Sequence, residues 1–146
     1  MQLLQLKQLP LQRIAYNAIP SVVYTNPEIA CIGLTEKDLN DIREGDFAPS
    51  MSTDKPFVPY EVHKLPMTFS GRFVAENEGE TGLCKVIVDS RNKTIIGVHM
   101  IGNPCSEFVA AASFAVRMGY TVGEFKQVVF PHPTVGEVLR EVIMES

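Results

Sequence analysis

One histidine in this chain is held in a way that suits chemistry. His132 sits between two prolines in the stretch Phe130-Pro131-His132-Pro133-Thr134-Val135-Gly136-Glu137. Proline fixes φ and has no N–H, so both neighbours of His132 are stiff. A residue before proline is pushed away from the helical region, which holds His132 extended at the mouth of a helix. An unperturbed imidazole titrates near ~6.5, the range a general acid/base needs at neutral pH. Glu137 is the nearby carboxylate that could fix its tautomer. A second reading competes. Thr134-Val135-Gly136-Glu137 is also a capping box, in which Glu137 only accepts the Thr134 N–H and His132 is a plain loop residue. A carboxylate has two oxygens and could serve both.

The other candidates are weaker. His99 falls inside a strand pattern, alternating with Ile95, Gly97 and Ile101, and reads as a sheet-face residue. His63 lies in a proline-flanked segment and reads as solvated. Cys105 and Ser106 at a helix start could be an activated nucleophile. Glu107 beside them opposes thiolate formation, and no Gly-x-Ser-x-Gly elbow is present. The histidines and the three cysteines, Cys31, Cys84 and Cys105, are far apart, so their spacing predicts no metal site. No Gly-x-Gly-x-x-Gly and no P-loop is present to cradle a phosphate.

The elements that must position His132 follow from pattern. Ser21–Thr25 and Ile29–Leu34 read as strands separated by Asn26-Pro27. Thr35-Glu36-Lys37-Asp38 resembles a capping box with Asp for Glu. It opens a helix that should bury Leu39 and Ile42 and stop at Gly45. Phe47–Thr53 reads as a strand and Asp54–Pro59 as a loop. Glu61–Phe69 reads as an extended edge piece broken by Pro66, and the polar stretches Ser70–Phe73 and Glu76–Gly82 as turns. Leu83–Asp89 and Thr94–Gly102 form an antiparallel hairpin. Asn103 is a candidate N-cap, with Pro104 opening a helix to Met118 and Gly119 ending it. That helix is apolar nearly all round, so it needs a second cover besides the sheet. Thr121-Val122-Gly123-Glu124 opens a short helix. Val135, Val138, Leu139, Val142 and Ile143 make one face of a final helix. The predicted class is α+β, an antiparallel sheet with helices packed on one side. Residues 1–15 read as a lead-in or linker and 16–146 as the domain.

Composition narrows the partners. The net charge is −4, which gives a nucleic-acid partner no electrostatic support. No apolar run approaches the roughly 20 residues of a membrane helix. An odd number of widely spaced cysteines fits reduced thiols and predicts a cytoplasmic protein.

Two long motifs at opposite ends resemble one family. Ile19-Pro20-Ser21-Val22-Val23-Tyr24-Thr25-Asn26-Pro27-Glu28-Ile29-Ala30, then Gly33-Leu34-Thr35-Glu36, is similar to the opening of the C-terminal dimerisation domain of dihydrolipoamide dehydrogenase. The resemblance continues through Gly82–Val88, Ile95–Gly102, Glu107, and His132-Pro133-Thr134 with Glu137. The wider family is the flavin-dependent pyridine nucleotide–disulfide oxidoreductases. The resemblance implies a homodimer whose FAD and NAD domains, with the redox cysteine pair, belong to the same full-length chain. It implies a lipoyl-bearing protein or small disulfide as substrate. His132 would be the acid/base for the dithiol and Glu137 its orienting partner. His132-Pro133 would be cis and would approach the flavin across the dimer. This chain alone would be inactive and hold neither cofactor. Two departures qualify the resemblance. Phe130 stands where many lipoamide dehydrogenases have a histidine, and the stretch Asp54–Met67 diverges. The alternatives are the same domain of a glutathione- or mercuric-type reductase, or a stand-alone, non-catalytic homodimerisation module.

Overall fold

The computed structural model describes residues 15–44 and 58–145. Its elements are β1 (Ser21–Val23), β2 (Ile29–Gly33), α1 (Glu36–Glu44), β3 (Tyr60–Leu65), α2 (Gly71–Glu76), β4 (Leu83–Asp89), β5 (Ile95–Ile101), α3 (Cys105–Met118), α4 (Val122–Phe125) and α5 (Val138–Met144). Single 3-10 turns precede β1, α2 and α5. The helix stop expected at Gly45, the strand expected at Phe47–Thr53 and most of the lead-in lie outside the described residues.

The five strands form one antiparallel sheet in the order β1-β2-β5-β4-β3. The hairpin β4–β5 is central, as its two β-branched runs predict, and β3 lies at the edge, where Pro66 confines it. Register alternates the side chains across the two faces. Ala30, Ile32, Val86, Val98 and Met100 share one face and belong to a single buried core. Against that face α3 packs over β2 and β5, and α5 packs over β4 and β3. The apolar face read from the sequence of the last helix is real: Val138, Leu139, Val142 and Ile143 are all buried. Full burial of such side chains contributes about 1.5–3 kcal/mol each.

The opposite face is not bare. Lys85, on that face, donates to the Glu36 carboxylate at 2.9 Å, and Tyr60 donates to Asn40, so α1 lies over it. Leu39 and Ile87 are buried there. The α1 cap is the expected one with Asp38: its carboxylate accepts the Thr35 N–H, and its own N–H donates to the Thr35 hydroxyl. Where β2 leaves the sheet, Gly33 faces Gly97 in register at φ 79°. A Cβ on Gly33 would fall 2.2 Å from the Ile96 carbonyl oxygen, so no side chain fits.

Three expectations are corrected. Ser70–Phe73 is not a turn: Ser70 is the N-cap of α2, accepting the Phe73 N–H, and Phe73 is fully buried. The polar sequence hid a short helix that needs one buried ring. Asn103 is not the cap of α3. Its side chain instead accepts the Glu28 N–H at 2.9 Å and donates to Asn26. The cap of α3 comes from far away in sequence, because Glu28 accepts the Ser106 N–H at 2.9 Å. His63 is not solvated: its side chain is only 20% exposed, 3.7 Å from Glu61, and its Nε2 is buried with no hydrogen-bond partner.

Helix α3 ends as expected at Gly119, which takes the left-handed conformation at φ 66°. Its inner side is buried through Val109, Ala112 and Ala115, while Phe114 and Met118 on its outer side are exposed.

Candidate active site

The segment after α4 carries His132. Phe125 is buried, and its ring packs against Phe130 with centroids 5.8 Å apart, which pins the entry to the loop. The His132-Pro133 peptide is cis, as are Asn26-Pro27 and Asn103-Pro104. Three groups of Thr134 then hold the loop. Its hydroxyl donates to the Pro131 carbonyl at 2.8 Å and its N–H to Glu137 at 2.7 Å. Its carbonyl accepts from the Ser70 hydroxyl at 2.9 Å. Beyond it, the buried Gly136 lies against the Phe108 side chain.

The Glu137 carboxylate reaches both partners. Glu137 Oε1 lies 2.7 Å from His132 Nδ1, while Oε2 accepts the Thr134 N–H at 2.7 Å. Burial pushes the Glu137 carboxyl up, but the Thr134 N–H, His132 and the nearby Arg140 outweigh it. The net result is a pKa held below the ordinary glutamate value. An ionised carboxylate only accepts hydrogen bonds, so His132 Nδ1 is the donor. The neutral ring then keeps its lone pair on Nε2. The His132 side chain is 82% exposed, whereas that of Glu137 is 18% exposed. The pair is a supported base presented outward, beside a cleft of about 340 Å³ lined by Lys126, Val129, Phe130, Glu137 and Arg140 among others.

The remaining candidates do not join it. His99 is half-buried, with Nε2 3.0 Å from the Leu34 carbonyl, and burial lowers its pKa. It is a structural sheet-face residue, as its alternation predicts. Cys105 is fully buried, and burial together with Glu28 pushes its thiol up to about 11, which counts against it as a nucleophile. All three cysteines are free thiols. Among the described residues no group of His, Cys, Asp and Glu could hold a metal ion. No helix among them is long and apolar enough to cross a membrane. Sequence reasoning missed Ser70 and Arg140 at this site. The only trace of Ser70 was a serine before a short, mostly polar run.

The family described as pyridine nucleotide-disulphide oxidoreductase, dimerisation domain, matches residues 19–143. A mitochondrial dihydrolipoyl dehydrogenase of Caenorhabditis elegans is 36% identical over 128 residues, which is 88% of this chain and 23% of that protein. The dihydrolipoyl dehydrogenase of Thermus scotoductus is 36% identical over 123 residues, 84% of this chain and 23% of its own length. The chain thus spans about a quarter of the curated relatives it matches. In fold it resembles LpdA from Mycobacterium tuberculosis, with a TM-score of 0.73 at 22% identity, over 92% of this chain and 26% of that one. The Escherichia coli flavoprotein disulfide reductase RclA gives 0.70 at 18%, over 86% and 26%. With the match covering most of its length, the chain belongs to the pyridine nucleotide-disulphide oxidoreductases, as their dimerisation domain.

Proposed function

We propose that this chain is the C-terminal interface domain of a dihydrolipoyl dehydrogenase, and that His132 is its acid/base. The observation that carries this reading is the clasp between His132 Nδ1 and Glu137 Oε1 at 2.7 Å with Nε2 left outward. Oxidising a dithiol to a disulfide releases two electrons and two protons. His132 Nε2 takes the proton of the attacking thiol, and Glu137 offsets the charge of the imidazolium that forms. Because Nδ1–H is already committed to Glu137, only Nε2 can move the proton. The substrate is a dihydrolipoyl group, on a protein or free. The relatives named above favour it over a glutathione- or mercuric-type substrate.

On this reading the domain holds neither flavin nor nucleotide on its own, and His132 and Pro133 approach the flavin of the complete enzyme. The N-terminus of α3, the longest helix among the described residues, is already occupied by the Glu28 carboxylate, which would repel a pyrophosphate. In the complete enzyme FAD would pass the electrons to NAD+, and that chemistry belongs to domains outside this chain. The His132 loop meets it from across a homodimer. The exposed apolar side of α3, with Phe114 and Met118, gains its second cover from the partner or the adjoining domains. Three free thiols fit a reducing compartment such as the cytoplasm.

The test is H132Q in the complete flavoenzyme, assayed for dihydrolipoamide oxidation by NAD+. A loss of about 10²–10⁴-fold in kcat is expected. Turnover equal to wild type would overturn the reading.

A further inference from the structure

We infer that Ser70, far from His132 in sequence, is a positioning residue for the acid/base. This rests on the reading of His132 just given. Ser70 is 2% exposed and its single hydroxyl has two duties. It accepts the Phe73 N–H at 3.2 Å, capping α2, and it donates to the Thr134 carbonyl at 2.9 Å. Its own N–H donates to the Met67 carbonyl at 2.9 Å, so the serine is fixed from its backbone outward.

Thr134 is the hinge of the His132 loop. Its N–H goes to Glu137 and its hydroxyl to Pro131, both within the loop's own segment. Among the described residues, the Ser70 bond is the only hydrogen bond that ties residues 131–134 to a distant part of the chain. The loop can keep its internal clasp without Ser70. What it loses is its one polar anchor to a distant element, since the Phe125–Phe130 and Gly136–Phe108 contacts are apolar and undirected, and with that anchor the exact placement of Nε2. Catalysis is steep in that coordinate, since a misplacement of about 1 Å can cost about 10²-fold. A capping role alone would affect stability and leave turnover unchanged.

The experiment is a double-mutant cycle in the complete flavoenzyme, with S70A made in the wild-type and H132Q backgrounds. S70A is expected to lower kcat for dihydrolipoamide oxidation about tenfold with KM little changed, and to have no further effect in H132Q. Wild-type kcat in S70A would overturn the inference, as would an equal loss in both backgrounds. If S70A does not fold, S70C is read the same way, because its thiol keeps the volume but donates weakly. An H132Q enzyme at full turnover would instead bring down the acid/base reading itself, so the two failures are distinguishable.

Discussion

Glu137 holds His132 and the start of its own helix with one carboxylate, an oxygen for each, both at 2.7 Å. One carboxylate can therefore hold the histidine and cap the helix at once. E137Q separates them. An amide oxygen can still accept one of the two bonds, but it carries no charge to offset an imidazolium. The complete enzyme carrying E137Q is expected to lose at least about tenfold in kcat. E137A also removes the cap and should lose about 1 kcal/mol of stability in addition. Steady-state kinetics and urea melts of both variants check this; full turnover in E137A would remove Glu137 from the mechanism.

The depressed pKa of Glu137 makes a pH prediction of definite sign. Burial raises it, but the Thr134 N–H and His132 lower it further. A group whose folded pKa lies below its unfolded value adds stability that is complete above the unfolded value. That stability is lost as pH falls through the folded one. The urea midpoints of wild type and E137Q should therefore differ near neutrality and converge in acid, below the ordinary glutamate value of 4.5. A difference that grew on acidification would contradict the geometry.

The parts legible in the sequence were those with local causes. The hairpin β4–β5, the apolar face of α5, the Gly119 stop and the Asp38 cap each follow from residues a few positions apart. The His132–Glu137 pair was legible as a possibility because its members lie only five residues apart. What was not legible is what the fold brings together from a distance. Glu28 capping α3, Ser70 holding Thr134, and α1 lying over the second face of the sheet depend on chain separations that no periodicity records. The burial of His63 belongs here too, because an edge strand shows in sequence but its packing does not.

The Asn103 side chain is a brace between two loops, and its removal tests the corrected start of α3. It accepts the Glu28 N–H and donates to Asn26, while the Asn77 amide reaches the Asn103 carbonyl at 3.1 Å. N103A strands the part-buried Glu28 N–H, a loss of about 1–3 kcal/mol. It also loosens Glu28, whose carboxylate caps α3. A simple N-cap at Asn103 would leave Glu28 indifferent to the change. Hydrogen exchange at Glu28 and Ser106 should therefore rise together in N103A, beside a lower urea midpoint. Protection of both amides at wild-type levels would refute the brace.

Burial sets the reactivity of the three thiols. Burial pushes Cys84 up to about 12, and burial with the Glu28 charge pushes Cys105 up to about 11. At pH 7 a thiol with a pKa of about 12 is ionised only about one part in 10⁵, and the thiolate is the reactive species. Cys31 is also raised by burial, but it is only half-buried and Lys85 opposes the shift. A neutral maleimide added to the native protein at neutral pH should therefore label Cys31 first and slowly. Cys84 and Cys105 should react only after denaturation. Mass spectrometry of the labelled peptides reads this directly. Labelling of Cys84 or Cys105 at the rate of Cys31 would show that the core opens and that their burial does not protect them. Their protection fits the proposal that any dithiol–disulfide chemistry aided by His132 would use cysteines supplied from outside this domain.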